Sequence, residues 1–479
     1  MPTIEPGVAK IDRAMLTVVV VLLPGASVAL LDTTVVALAI DDLTHAFGTT
    51  IHATQWVTTA YLLAMAAVIP TMGWLTSRWG ARRIWQASLA LFLCGSALCA
   101  LAWSVESLVA FRVVQGTGGG LILPLVQTVV AGEAGPHRIG RAMSLVGIPG
   151  QLAPILGPVV GGIVLGSLGW RWIFLVNLPI CLIALVLAHR HLHPREVRTR
   201  TGFDWIGALL VLPATVALLA GLSTLGDTPA APVIPVVLLT GGAVLLAGYV
   251  PYGRRRGGGA LLDVRLLRRR SFSVATVMLF LSGACLYGPM LLLPLFYQQV
   301  RGIAAGDVGW LLAPQGIGLM VALSVAGRTA DRIGPRTVAL TGVALAAAGL
   351  SVFVVAGEAS LLVLSSGLAV LGAGLGSVGV AVSATSYRDL GPADVPNATS
   401  MLNVVQRIGA SVGTVVTARV LDRQLATAPT DGDGLSSAFA HALAWTLALL
   451  GVAMLVVTLL PTTPPPSTHT PDHERSTTP

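Results

Sequence analysis

Charge is what this sequence has least of. Only 10% of its 479 residues are Asp, Glu, Lys or Arg, against roughly a quarter in a soluble domain. That shortage excludes an ordinary water-soluble globule. Cysteine is scarce too: Cys94, Cys99, Cys181 and Cys285 show no CxxC or other metal-ligand spacing. They read as small apolar packing residues rather than as a redox or zinc site. Lysine is nearly absent, with Lys10 alone against 28 arginines, a bias expected of a GC-rich bacterial genome. Clusters of His, Asp or Glu within apolar stretches are missing, which argues against a membrane-embedded enzyme. His189, His191 and His193 alternate, and alternation does not gather three imidazoles on one helix face, so no metal site is expected.

What is present is hydrophobic length. Apolar residues make up 54% of the chain, arranged in runs of the ~20 residues that cross a bilayer. Fourteen such spans are predicted, at 14–36, 53–75, 82–103, 107–130, 140–166, 171–189, 204–223, 233–252, 272–298, 307–327, 336–356, 360–385, 398–420 and 438–460. Span 1 has no small-residue cleavage site after it and reads as a retained helix. Assigning the 29 Lys and Arg by alternation puts 23 on one side, 4 on the other and 2, Arg112 and Arg407, within spans. The positive-inside rule makes the rich side cytoplasmic, with both termini on it. The basic balance therefore points to anionic lipid headgroups rather than nucleic acid.

The chain also repeats itself. GWLTSRWGARR at Gly73–Arg83 returns as GRTADRIGPR at Gly327–Arg336, 254 residues later. QGTGGGL at 115–121 resembles LGAGLGS at 371–377, and Ala153, Gly157 and Gly161 fall on Gly409, Gly413 and Thr417 at an offset of 256. A small residue at every fourth position lies on one helix face and lets helices approach closely. The loop motif joins spans 2 and 3 and again spans 10 and 11, so the plan is six helices, two inserted, then six. The predicted domains are a first half over 1–200, an inserted pair with basic linkers over 201–270, a second half over 271–460 and a Pro, Thr and Ser-rich disordered cytoplasmic tail over 461–479. Parallel six-helix halves are a transporter arrangement, with the substrate site between them.

Five motifs in order make the resemblance specific. GWLTSRWGARR, RVVQGTGGG at 112–120 and APILGPVVGG at 153–162 resemble motifs of the major facilitator superfamily. LDTTVVALAI at 31–40 and WRWIFLVNLPI at 170–180 resemble signatures of its fourteen-helix drug:H+ antiporter branch. The resemblance covers nearly everything up to residue 460. It implies an all-α integral membrane protein of the major facilitator fold, working as a proton-coupled exporter of drugs or antibiotics in the cell membrane, with no cofactor and as a monomer. It also marks Gly157, Pro158, Gly161 and Gly162 as an antiporter motif, and gives the arginine of span 4 a part in proton coupling. The chain departs from the branch at Ala37 and Asp41, where Asn and Pro are usual, and at Ser77, where the loop motif normally has Asp. The second copy keeps that acid at Asp331.

Asp32 is the most informative single residue. An acid inside a span is costly and marks function by default. At 1.5 Å per residue it sits ~12 Å from the outer end of span 1, and Arg112 lies at a similar depth in span 4. The two can pair, with Asp32 as proton carrier or facing a cationic substrate, and Arg112 tuning Asp32 or orienting Gln115. Position 366, the second-half counterpart of Arg112, is Ser, so proton chemistry is expected in the first half alone. The substrate cavity is expected to use Gln55, Tyr61, Gln115, Gln151, Tyr297, Gln298, Asn403 and Arg407, the last meeting an anionic or hydrogen-bonding substrate. Gly73, Arg78, Gly80, Arg82 and Arg83, with Asp331, Arg332 and Arg336, form either topology anchors or a charge latch between the halves. A dedicated exporter of one endogenous metabolite or natural product fits the same motifs. A channel would not need the duplicated loop.

Overall fold

A computed structural model describes residues 13–134, 142–143, 145, 147, 161–192, 202–225, 233–355, 359–388, 390–391, 393–427 and 432–460. Among them there is no strand. Thirteen helices are long and apolar enough to cross a membrane. Spans 1 to 4 are Met15–Val36, Ile51–Trp79, Ala81–Ala100 and Val105–Ala134; spans 6 to 8 are Arg171–His191, Trp205–Thr224 and Val233–Gly259. Spans 9 to 14 are Arg270–Val300, Asp307–Ala330, Pro335–Val355, Leu361–Ser386, Val395–Thr427 and Gly434–Val457. The predicted span 5 falls mainly outside the described residues, as do Gln151, Ala153, Gly157, Pro158, His193 and the tail.

The sequence repeat is a repeat of packing. In the first half a Cβ on Gly116 would strike Tyr61 of span 2, one on Gly118 would strike Phe92 of span 3, and one on Gly120 would strike Met65 of span 2. In the second half Gly372 meets Gln315, Gly374 meets Ala346 and Gly376 meets Leu319 in the same way. The glycines differ by 256 positions and their partners by 254. Each central helix thus presents a bare ridge on which two neighbours sit. Only Gly allows that approach without displacing backbone. The two loops match as well: Gly80 and Gly334 adopt φ of 81° and 89°, a region that L side chains avoid. Outer helices repeat the theme. Gly161 lies on Val35 and Leu38 beside span 1, while Gly409 and Gly413 lie on Phe280 and Ala284 of span 9.

Among the described residues the core shared by the two halves lies at one end. At the end carrying the arginine-rich loops, Met72, Val130 and Ala131 share a buried core with Tyr387, Val395, Ala398 and Met401. There a Cβ on Gly73 would overlap the Asn397 side chain, and one on Gly147 would press on Leu323. Asn403 donates to Gln127 Oε1 at 2.7 Å, tying span 13 to span 4. Burial pushes the Tyr387 phenol up to about 12. At the opposite end the buried core of Val35, Leu43, Val57, Leu108 and Phe174 comes from the first half alone. The second half keeps a separate core. Among the described residues the molecule is closed at the basic end and parted at the other.

The inserted pair stands beside this seam. Span 7 packs on span 2 and on span 13, and Arg419 of span 13 donates to the Leu225 carbonyl at the end of span 7. The basic linker after span 8 is packed as well as charged. Leu261, Leu262, Val264 and Leu266 are buried. The buried Asp204 carboxylate accepts from the backbone N–H of Gly207 at 3.1 Å and of Leu261 at 2.9 Å, and from Tyr252. Tyr249 donates to the Leu262 carbonyl at 2.8 Å and accepts from its N–H at 2.7 Å. The arginines stay outside while Leu261, Leu262, Val264 and Leu266 turn in.

Candidate functional site

Four helices of the first half converge on Asp32. Arg112 Nη1 donates to its Oδ2 at 2.6 Å, and both side chains are fully buried. Its Oδ1 accepts from Gln115 Nε2 at 2.9 Å and from Asn177 Nδ2 at 2.9 Å. The second shell closes the ring: Arg112 Nη1 also donates to Gln115 Oε1 at 2.8 Å, and its Nε to the Val57 carbonyl at 3.2 Å. Ser96 Oγ accepts from Asn177 at 3.0 Å and donates to the Phe174 carbonyl at 2.9 Å. The guanidinium lies over the Tyr61 ring at 3.8 Å, a desolvated cation–π contact. Among the described residues Arg112 Nη2 has no hydrogen-bond partner.

The geometry follows from local sequence. Gln115 is one helical turn beyond Arg112, so both reach the same point on span 1. The glycines after them let span 4 lie close to spans 2 and 3, which brings Tyr61 under the guanidinium. Every donor points at the carboxylate, the arrangement that satisfies an ionised acid. Protonation would remove the charge that pairs with Arg112 and add an O–H donor to a site already supplied with three.

The expected Asp32–Arg112 pair is present. Three expected cavity residues are placed elsewhere. Gln115 is buried in the Asp32 network and Tyr61 is buried beneath Arg112. Tyr297 is fully buried among Phe296 and Phe353, with ring centroids 5.7 and 6.3 Å away. A π-helical turn over Phe296–Val300 rotates it into the second half's core. Gln55 and Gln298 are exposed at the parted end, and Asn403 and Arg407 are half-buried in span 13. Sequence reasoning missed Asn177 and Ser96. Asn177 is an amide in an otherwise apolar stretch of span 6, and that was the available signal.

The loop residues divide. Arg82 Nη2 donates to the His189 carbonyl at 2.6 Å, tying span 3 to the end of span 6 inside the first half. Ser77 Oγ returns to the Trp74 carbonyl at 2.9 Å. Arg78, Arg83 and Arg332 are exposed and Arg336 is half-buried. Asp331 directly follows span 10, in the last turn of the same helix, Ala305–Ile333. Gly162 faces open space, unlike Gly161. Ser366, where the second half would hold its own arginine, is exposed and bonds its own helix at the Val363 carbonyl. Of the cysteines, Cys94 is exposed and the other three are buried. Cys99 Sγ lies 3.5 Å from Gln115 Oε1.

Known proteins share this architecture. The sequence profile of the Major Facilitator Superfamily matches residues 22–414 and 275–479. The Multidrug resistance protein B homolog of Mycobacterium tuberculosis is 38% identical over 425 residues, 87% of this chain and 78% of that protein. The Lincomycin resistance protein LmrB of Listeria monocytogenes is 27% identical over 401 residues, 82% of this chain and 84% of that one. Among solved structures, the human organic anion transporter MFSD10 superposes with a TM-score of 0.65 at 16% identity, over 93% of this chain and 100% of that one. A bacterial homologue of the iron transporter ferroportin in an outward-facing state gives 0.64 at 11% identity, over 93% and 99%. Those two likenesses concern the fold alone.

Proposed function

The chain belongs to the major facilitator superfamily, and from that premise we propose that it exports amphipathic small molecules, drugs or antibiotics among them, in exchange for protons. It is a multi-pass membrane transporter and not an enzyme. The names of its relatives support the substrate class. The observation that carries the proton reading is the buried Asp32 with its three donors, a cluster whose arginine has only Ser366 in the corresponding place of the second half.

The arginine-rich end is read as cytoplasmic, with both termini on that side. The parted end then faces outward, where protons are abundant. A proton reaching Asp32 breaks its pairing with Arg112, loosens span 4 against spans 1 and 6, and lets the halves rock inward. Release inside restores the pair and the outward-facing state. Charge entering across the membrane supplies ~2.3 kcal/mol per 100 mV, so one proton per cycle supports useful accumulation.

Reconstituted vesicles carrying a preformed pH gradient test this. Addition of a transported dye or antibiotic should collapse the gradient with the unaltered protein and leave it standing with Asp32→Asn. Undiminished exchange by that variant sinks the reading. A survey of growth inhibition across antibiotics and dyes separates a broad exporter from one dedicated to a single metabolite.

A further inference from the structure

We infer that the cavity between the halves selects anionic amphipaths, and that Arg407 receives the anion. This rests on the exporter reading and names its substrate class. The starting point is a charge count. Deep in the spans the sequence has one acid, Asp32, and two bases, Arg112 and Arg407. The stretch from Gly135 to Val160 contains no Asp or Glu, so span 5 adds no counter-charge. Asp32 and Arg112 neutralise each other at 2.6 Å. Arg407 is left over.

Its surroundings leave it available. Arg407 lies in span 13, half-buried, and no hydrogen bond or ion pair joins it to another described residue. It lies one turn beyond Asn403, which reaches Gln127 of span 4, so it shares the face of span 13 turned toward the first half. Asn403, one turn earlier, is already committed to Gln127 and to the Thr399 carbonyl. On this part of span 13 the arginine is therefore the charged donor that a ligand can use.

Physical chemistry sets what it binds. A guanidinium does not lose its proton, and an uncompensated one at this depth is costly. A ligand carboxylate removes that cost and matches the fork of donors. An organic cation meets the same charge as repulsion, with no free acid to offset it. Charge balance follows: one monovalent anion out for one proton in moves two positive charges inward, whereas a monovalent cation exchanged for one proton moves none.

The test uses purified full-length protein and three probes with one apolar body: pyrenebutanoate, pyrenebutanol and pyrenebutylamine. Binding is read by energy transfer from tryptophan to pyrene. The carboxylate should bind about tenfold tighter than the amine. Arg407→Gln should erase that preference while leaving the neutral alcohol within about twofold, and Arg407→Lys should keep part of it. Equal or tighter binding of the amine by the unaltered protein overturns the inference. Equal loss of all three probes in Arg407→Gln overturns it too. Failure of the exporter reading is seen separately, in proton exchange by Asp32→Asn vesicles, because binding preference needs no transport.

Discussion

Asn403 of the second half donates to Gln127 of the first at 2.7 Å, on the side of the membrane where the arginine loops lie. The bond sits beside the overlap that Gly73 makes room for at Asn397. Together they hold the basic end shut. The first-half loop motif has Ser77 in place of the usual acid, and Ser77 bonds only its own helix. Closure here rests on packing and amide bonding across spans 2, 4 and 13 rather than on that acid.

Gly73→Trp should therefore wedge the basic end open. A cysteine introduced at Gly73's level on span 13 should react faster with a membrane-impermeant maleimide from the basic side in the wedged protein. Asn403→Ala should act in the same direction and more weakly, since one neutral hydrogen bond is worth about 0.5–1.5 kcal/mol. Unchanged labelling in Gly73→Trp would show that the contact does not gate access.

The Asp32–Arg112 pair makes a thermodynamic prediction. Removing one partner of a buried pair strands the other charge, at about 3–5 kcal/mol. Asp32→Asn and Arg112→Gln should each lower the melting temperature in detergent. The double variant should recover much of that loss, because no charge is then left buried, and it should still fail to exchange protons. Additive losses in the double variant would mean that the two side chains act on separate parts of the fold.

Asn177 carries a prediction of a different kind. Its amide donates to the Asp32 carboxylate at 2.9 Å. Asn177→Ala removes that donor and leaves Ser96 with one donor fewer. Stability should fall by about 1.5–3 kcal/mol, the range for a bond to a charged group. Proton-coupled exchange should slow with it, because the carboxylate keeps only two of its three side-chain donors. Lowered stability with full exchange would assign Asn177 a packing role only.

Much of this was legible in the chain. Apolar length gave the spans because lipid leaves the backbone no other way to satisfy its polar groups. Matched depth on spans 1 and 4 gave the Asp32–Arg112 pair. Asn177 was not legible as a partner of Asp32, since 145 residues separate them and only the packing of span 6 on span 1 joins them. Tyr61 and Tyr297 misled for a related reason. A tyrosine near a span end usually marks the interface, but a buried guanidinium took one ring and a π-helical turn took the other inward. In the stretch after span 8 the arginines dominate the composition, while the burial of Leu261, Leu262, Val264 and Leu266 between them was not legible from charge.

That stretch supplies the last prediction. Asp204 is 2% exposed and accepts from Gly207, Leu261 and Tyr252, with Arg256 Nε at 3.4 Å from its Oδ1. It caps span 7 and pins the residues that follow span 8. Asp204→Ala leaves the buried Leu261 N–H without its acceptor, at about 1–3 kcal/mol for an orphaned group. It also removes the cap of span 7, worth about 1 kcal/mol. The exposed Arg265 and Arg268 would then sit on a loosened strap, so trypsin should cut there several-fold faster in folded protein. Asp204→Asn keeps an acceptor oxygen and should be intermediate. Because span 7 also bears on spans 2 and 13, exchange should slow in proportion to cleavage. Fast cleavage with full exchange would instead make the strap a stabiliser of the inserted pair alone, with no part in how the halves move.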